Sequence, residues 1–202
     1  MLRQAYNGMK HGFTLVELLI GLAILSLLLM LALPAFSTML NNQRLRAAAE
    51  SLLNGLQTAR TEAVKLNAQV QFVTTDDDAS IAAQVSTLTP SATGQNWAVR
   101  AFDPTTALWS VYVEGKKGSS ASGGTASAVT VTGTDSTITF SGLGTTTLLT
   151  TSTYQLQNPT GGLCAPAGPM RCLNVTVSPG GTIRMCDPSI DPALNPGDTR
   201  KC

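Results

Sequence analysis

The sequence is poor in histidine, with His11 as the one example among 202 residues. Serine and cysteine nucleophiles are commonly activated by a histidine base, and imidazole is a frequent zinc ligand. We expect the segment that holds His11 to be removed, which would leave the mature protein without histidine. This argues against Ser-His or Cys-His catalysis, and so against an enzyme. The sequence also lacks a P-loop and a Rossmann glycine pattern, which leaves Ser-Lys or paired-carboxylate chemistry as the open enzymatic alternatives.

Charged and aromatic residues are scarce as well, at 12% and 5% of the chain. Basic and acidic side chains number 13 and 12 and give a formal charge of +1, so any binding to nucleic acid or a membrane surface requires a local patch. The wealth of Thr, Ser, Ala and Gly suits one secreted, β-rich domain with an appendage. Three adjacent carboxylates at residues 76–78 suggest calcium, but a solvated turn is favoured because neighbouring side chains of a strand cannot all face one ion. We expect no metal and no cofactor.

The four cysteines lie in the last fifth of the chain, and no two of them have C-x-x-C spacing. An even number at wider spacings, behind a membrane-targeting segment, predicts two disulfides in an oxidising compartment. Four cysteines allow three connectivities. We favour Cys164–Cys172 and Cys186–Cys202, because each pair closes a short loop that contains proline and glycine. Free buried thiols are the alternative.

A long apolar run near the N-terminus, residues 18–36, carries no charge. In a helix it would extend about 28 Å, close to the thickness of a bilayer's hydrocarbon core. Arg3 and Lys10 precede it, which predicts a cytoplasmic N-terminus and an exported remainder. A secretory signal peptide would have a shorter apolar region and a better A-x-A cleavage site. Neither that alternative nor a plain anchor accounts for Glu17 at the start of the run.

A carboxylate inside a membrane span costs about 2.5–3.5 kcal/mol on insertion scales and usually has a partner. Cleavage between Gly12 and Phe13 would create an α-amino group one helical turn from Glu17. In an assembly, the carboxylate of one subunit can pair with the amine of the next and fix the axial register. We therefore interpret Glu17 as a docking group.

The stretch "GFTLVELLI" that holds these three residues resembles the class III signal of type IV pilins and pseudopilins. The resemblance implies that a membrane prepilin peptidase cleaves after Gly12 and N-methylates Phe13, and that Glu17 serves assembly. Pro34 lies late in the run, as is common in this family, and is expected to bend or loosen the helix. The expected divisions are a leader at 1–12, a membrane and filament-core helix at 13–36, an amphipathic second half at 37–67 and a periplasmic β-rich head at 68–202.

Residues beyond the span show helical periodicity and then strand patterns. An apolar stripe at three- and four-residue steps predicts one helix from about 13 to 67 that packs on the head; its members are Leu45, Ala48, Ala49, Leu52, Leu56, Ala59, Ala63 and Leu66. Six short β-branched or aromatic segments predict strands, namely "VQFVTT", "WAVRAF", "WSVYV", "ASAVTVTG", "STITFSG" and "LNVTVS". "GKKGSSASGGTAS" is expected to be a surface loop, and "GTTTLLTTST" is expected to include an edge strand. The predicted fold class is α+β, a long helix on an antiparallel sheet or sandwich.

The head also resembles the GspH/FimT group of pseudopilins and minor pilins, in "LLNGLQTARTEAVKLNAQV", "NWAVRAFD", "ITFSGLG" and "NVTVSPGGTIRMCDP". In competence-associated members of that group a Gly-Arg-x-Arg stretch is linked to DNA binding. Here the corresponding positions are Gly181 to Arg184, and Thr182 replaces the first arginine. The resemblance implies that Arg184 belongs to a DNA site. Arg171, Arg200 and Lys201 add positive charge to this site if the disulfides fold the tail back toward Arg184. The alternative is a solvated, disulfide-pinned loop that contacts another pilin.

These observations predict a structural subunit rather than a catalyst. The expected function is a minor pilin or pseudopilin that helps to initiate or tip an envelope filament, in a type IV pilus or a type II secretion pseudopilus. Its expected partners are other pilins, the prepilin peptidase and inner-membrane lipid, with the head in the periplasm. A DNA-binding minor pilin for transformation is the alternative.

Overall fold

The computed structural model describes residues 14–118 and 129–202, except for the side chains of residues 31–35. The chain divides into two compact units, Met1–Ser37 and Thr38–Cys202. We refer to the second unit as the head. The expected leader and Phe13 lie outside the described residues.

The long α-helix α1 extends over Leu15–Leu66 and continues through Pro34. It ends where Asn67 adopts a left-handed φ of 47° and the N–H of Ala68 donates to the Ala63 carbonyl oxygen at 3.2 Å, as is usual at helix C-termini. In the head, the predicted stripe faces the core, with Leu45, Ala49, Leu52, Leu56, Ala59 and Ala63 buried. The stripe ends earlier than predicted, because Leu66 is 48% exposed.

Two four-stranded antiparallel sheets complete the head. The first has the order β3-β2-β1-β5, with β1 Val70–Thr75, β2 Asn96–Asp103, β3 Leu108–Lys116 and β5 Thr137–Phe140. The second has the order β4-β6-β7-β8, with β4 Thr130–Gly133, β6 Ser152–Gln157, β7 Leu173–Val177 and β8 Ile183–Cys186. Short 3₁₀ helices lie at Ala82–Thr87 and Pro159–Gly161. The α+β prediction, a long helix on antiparallel sheets, is confirmed.

The main core lies among the helix stripe and both sheets. Phe72 of β1 is at its centre, with ring centroids 5.7 Å from Trp97 and 6.1 Å from Tyr154. A smaller core on the other face of β1 and β2 contains Val73, Ala98, Val85 and other residues of the segment that joins these strands. Residues of the helix stripe and of both sheets share the main core. Aromatic pairs and close packing stabilise such a core, so the stripe and the sheets form one packed body within the head.

All six predicted strand segments contain a strand, although residues 126–128 of "ASAVTVTG" lie outside the described part. Two strands were not predicted, β6 and β8. The prediction of an edge strand in "GTTTLLTTST" is wrong: residues 144–151 form bends and an isolated bridge. The final Ser152 and Thr153 begin β6, which is an inner strand. The expected loop "GKKGSSASGGTAS" begins inside β3, and its residues 119–127 lie outside the described part.

Candidate functional site

The first turn of α1 is built by Thr14 and Glu17. The Glu17 backbone N–H donates to the Thr14 hydroxyl oxygen at 3.2 Å, and the Leu18 N–H donates to the Thr14 carbonyl oxygen at 3.2 Å. Thr14 is thus the N-cap of the helix, three residues before a glutamate, which is the spacing of a capping box. A carboxylate in the first turn also interacts favourably with the positive end of the helix dipole. This local role was not predicted from the sequence, although the T-x-x-E spacing indicates it.

Glu17 forms no ion pair with the residues that the structure describes. Gly12 and Phe13, the predicted cleavage and methylation sites, lie outside them. The docking role of the Glu17 carboxylate therefore stays a prediction, while the helix cap uses the backbone N–H of the same residue.

The apolar side chains on either side of Glu17 surround the first part of the helix. Twelve large ones between Leu15 and Met30 are each 51–78% exposed, so within this unit none of them is buried in a core. A helix that is apolar on every side needs an apolar environment. Within the described residues, no helix offers a stretch that is both long and apolar enough to cross a membrane.

At the other end of the chain, the tail folds back along β8. Cys186 and Cys202 form a disulfide, and the Asp187 N–H donates to the Arg200 carbonyl oxygen at 2.7 Å. The Arg184 guanidinium donates to the carbonyl oxygen of Lys201. The other disulfide joins Cys164 to Cys172. Both pairings are the ones predicted from the sequence, and the Cys186–Cys202 disulfide brings the tail to Arg184 as expected.

The four cations of the expected DNA site do not form one open patch. Arg200 binds Asp198 through two nitrogens at 3.1 and 2.8 Å, and the Lys201 Nζ donates to the Pro196 carbonyl oxygen at 2.6 Å. Arg184 is held on the tail, as described above. Of the four, Arg171 and Arg200 line a common cavity. Phosphate contact depends on clustered, available cations, and DNA binding by these residues stays a prediction.

The carboxylates of Asp198, Asp77 and Asp78 have structural partners. The Arg200 guanidinium, by its hydrogen bond, lowers the pKa of Asp198 to about 2. Lys117 lies 2.6 Å from Asp78 and, by its hydrogen bond, lowers the pKa of that carboxyl to about 2 as well. Asp77 accepts the Thr89 N–H at 2.7 Å. These bonds fit the favoured turn, and the described residues contain no cluster suited to a metal ion.

A long N-terminal helix with an apolar, exposed first part and an antiparallel β head with two disulfides defines a pilin-like protein. The chain matches the family described as type II transport protein GspH over residues 48–181, and the prokaryotic N-terminal methylation motif over residues 7–33. It therefore belongs to the GspH family, whose members are structural subunits, minor pilins or pseudopilins.

Two crystal structures of the type IV minor pilin FimU from Pseudomonas aeruginosa (strain PAO1) are similar to this chain. The one in space group P21 has 18% sequence identity and a TM-score of 0.49, and the match covers 70% of this chain and 87% of FimU. The one in space group P65 has 17% identity and a TM-score of 0.47, and covers 69% and 90%. No curated protein matches the chain in sequence.

Proposed function

We propose that this pilin-like subunit is cleaved after Gly12 by a prepilin peptidase and methylated on Phe13. It is then held in the inner membrane by the helix at residues 13–36, with its head in the periplasm. From there it enters an envelope filament, whose assembly it initiates or caps. One observation carries the proposal: a methylation motif at residues 7–33 and a GspH match at 48–181 occur on the same chain.

The apolar surface of α1 supports this path between two environments. Side chains that surround a helix must be covered by lipid or by other helices. Transfer from a bilayer into a bundle of filament helices exchanges one apolar environment for another, so it needs little desolvation of the helix itself. The carboxylate of Glu17 is the exception, because it gains a neutralising partner only when a neighbouring subunit's amine lies beside it.

The experiment separates docking from helix capping by comparing two variants, Glu17→Gln and Thr14→Ala. Glu17→Gln keeps the size of the side chain and the backbone bond to Thr14 but removes the charge. Thr14→Ala removes the capping oxygen but keeps the carboxylate. If Glu17 docks subunits, Glu17→Gln should enter the membrane normally and be incorporated into sheared filaments at least about tenfold less, because an unpaired buried amine is costly.

Thr14→Ala should remove only the helix cap, which lowers helix stability by about 1 kcal/mol. This variant should be incorporated into filaments at nearly the wild-type level. Equal losses for both variants would assign Glu17 to the helix and contradict docking. Mass spectrometry of the mature N-terminus, in cells with and without the peptidase, tests the processing step. A chain that keeps residues 1–12 in peptidase-positive cells would refute the proposal.

Two filaments fit this function, the type IV pilus and the type II secretion pseudopilus. A deletion in the source organism distinguishes them. Loss of surface pili with normal protein export would assign the chain to the pilus, and loss of export with normal pili would assign it to the secretion system.

A further inference from the structure

We propose that a groove on the head binds a carboxylate-bearing, partly apolar segment of a neighbouring filament subunit, with Arg171 as its main anchor. The proposal rests on the function proposed above, because it takes the partner to be another pilin-type subunit. The groove is defined by Met39, Arg46, Arg171, Leu173, Met185 and Arg200 among its lining residues.

The groove is large enough for a peptide segment. Its volume is about 560 Å³, within the range of about 300–1,000 Å³ that is typical of ligand pockets. Met39 and Arg46 lie seven residues apart, two turns along one face of α1. The opposite side comes from the start of β7, the end of β8 and the C-terminal tail. All of these residues belong to the head, so the groove is complete within one unit.

The floor of the groove offers apolar contact. Leu173 and Met185 are half-buried and pack against the main core, while Met39 is 57% exposed. Methionine side chains are flexible and adapt to different partners. A phosphodiester backbone would leave this floor uncovered, whereas a peptide can place an aliphatic side chain on it. The floor therefore favours a protein segment over a nucleic acid.

The rim of the groove offers donors to a carboxylate. Arg46 uses its Nε for Glu50 at 2.8 Å, and Arg200 uses Nε and Nη2 for Asp198, so both keep free Nη groups. The side chain of Arg171 has no ion pair or hydrogen bond with the residues that the structure describes. Asp187 also lines the groove, but its Oδ1 accepts from the Ser189 N–H and hydroxyl. Arg171 is thus the cation whose whole guanidinium is available to an incoming acid, since a guanidinium can bind a carboxylate through two parallel hydrogen bonds.

The walls of the groove are fixed before any partner binds. The Asn42 side chain accepts the Arg171 N–H at 2.8 Å and donates to the Pro169 carbonyl oxygen at 3.3 Å. Cys172, next to Arg171, is buried and bonded to Cys164, and Cys186 holds the tail. A site held this way loses little conformational entropy on binding.

The test places a photo-reactive amino acid at Gln43, an exposed residue of the groove, in the full-length chain. The chain is produced in cells that also make the complete set of pilin-type subunits of the same genome. After irradiation, the cross-linked peptides are identified by mass spectrometry. The expected product joins Gln43 to another pilin-type subunit within a few residues of an aspartate or glutamate.

Charge variants of the same chain test the role of Arg171. Arg171→Glu should lower the cross-linked yield about tenfold or more, because it places like charges together. Arg171→Lys should keep most of the yield, and Arg171→Gln should fall between them. Arg44→Glu is the matched control, since Arg44 is exposed on the same helix and does not line the groove; it should leave the yield unchanged. Both disulfides and Tm are compared for each variant, and Arg171→Gln replaces Arg171→Glu if the latter is unfolded.

Cross-links only to lipid, to DNA or to a second copy of this chain would overturn the proposal. An undiminished cross-linked yield with a folded Arg171→Glu would overturn it as well. If Arg171→Glu does not fold, an undiminished yield with Arg171→Gln has the same meaning. The wild-type chain is assayed for filament incorporation in the same cells. Incorporation with no effect of Arg171 refutes the groove alone, while failure of the wild type to be incorporated refutes the proposed function and the groove with it.

Discussion

At the residue scale, Gly181 is the first residue of the Gly-Thr-Ile-Arg stretch, and its backbone conformation has a structural role. It lies in the turn between β7 and β8 with a φ of 79°, and its N–H donates to the Ser178 carbonyl oxygen at 2.9 Å. A Cβ at this position would collide with the carbonyl oxygen of Gly144. The glycine is therefore required by the turn, whatever the neighbouring arginine binds.

Replacing Gly181 by alanine should destabilise the head by about 2 kcal/mol or more, because it combines a left-handed φ with a backbone clash. Gly180→Ala is the matched control, since the nearest atom to its Cβ would be the Ser178 Oγ at 3.9 Å. Thermal unfolding of the two variants measures the difference. Similar Tm values for both would contradict the assigned role of Gly181.

The Asp198–Arg200 pair gives a prediction on pH. The pKa of Asp198 lies at about 2 in the fold, below the ordinary value of 3.8 for an aspartate, because Arg200 donates hydrogen bonds to it. A lowered pKa means that the pair stabilises the fold above about pH 4, and that this contribution disappears as the pH falls through about 2. Arg200→Gln should return the pKa of Asp198 toward 3.8, measured by NMR titration of the side-chain carboxyl.

Asp103 is the internal control for that titration. Hydrogen bonds from Thr105 lower its pKa, and Arg200→Gln should leave that shift in place. A wild-type Asp198 that titrates near 3.8 would show that the ion pair does not persist in solution.

At the scale of elements, Arg100 fastens the segment between β1 and β2 to the outer face of the first sheet. It is 6% exposed, its Nε donates to the Gln71 side-chain oxygen at 2.8 Å, and its Nη1 donates to the Val85 carbonyl oxygen at 2.9 Å. Burial lowers the pKa of the guanidinium, but arginine remains charged in proteins. The guanidinium of Arg100 thus holds the 3₁₀ helix at Ala82–Thr87, and it forms no ion pair with a carboxylate of the described residues.

Arg100→Met should lower the free energy of unfolding by about 2–3 kcal/mol, because it leaves the Gln71 and Val85 oxygens buried without their donor. Hydrogen exchange of the segment at residues 82–88 should speed up more than that of α1. Arg44→Met, on an exposed arginine, should change stability by less than about 0.5 kcal/mol. An unaltered exchange rate in Arg100→Met would mean that the small core alone holds the segment.

The elements differ in how far the sequence reveals them. The helix stripe could be predicted because Leu45, Leu52 and Leu56 repeat at the helical period. β6 escaped because its buried face of Ser152, Tyr154 and Leu156 holds two apolar residues among threonine and glutamine, so the apolar alternation is short. Arg100 is a charged residue in a buried strand, and only the packing of a distant segment explains it.

The candidate sites also differ in how far the sequence predicts them. Gly12, Phe13 and Glu17 form a local motif, so the sequence alone predicts them, and Thr14 could have been added from the capping-box spacing. The groove could not be predicted, because Met39, Arg171 and Arg200 come together only through the second sheet and the two disulfides. No local sequence pattern predicts that these residues lie side by side.

At the scale of the whole molecule, the stability of the protein resides in the head. Every buried apolar residue of the described chain lies at or after Leu45, and the head spans Thr38–Cys202. The residues from Leu15 to Met30 are exposed and contribute no core. Folding of the head therefore does not depend on the environment that covers the first part of α1.

A chain that begins at Thr38 should consequently fold as a monomer, form both disulfides and unfold at nearly the Tm of the head in the detergent-solubilised full-length protein. A chain that begins at Ala59 is the control, because it lacks Leu45, Leu52 and Leu56. Buried leucines contribute about 2–5 kcal/mol each, against a total stability of about 5–15 kcal/mol for a typical domain, so this shorter chain should not fold. Circular dichroism melts and disulfide mapping give the comparison. An unfolded chain from Thr38, or a folded one from Ala59, would show that the helix stripe is not the part of α1 that the head requires.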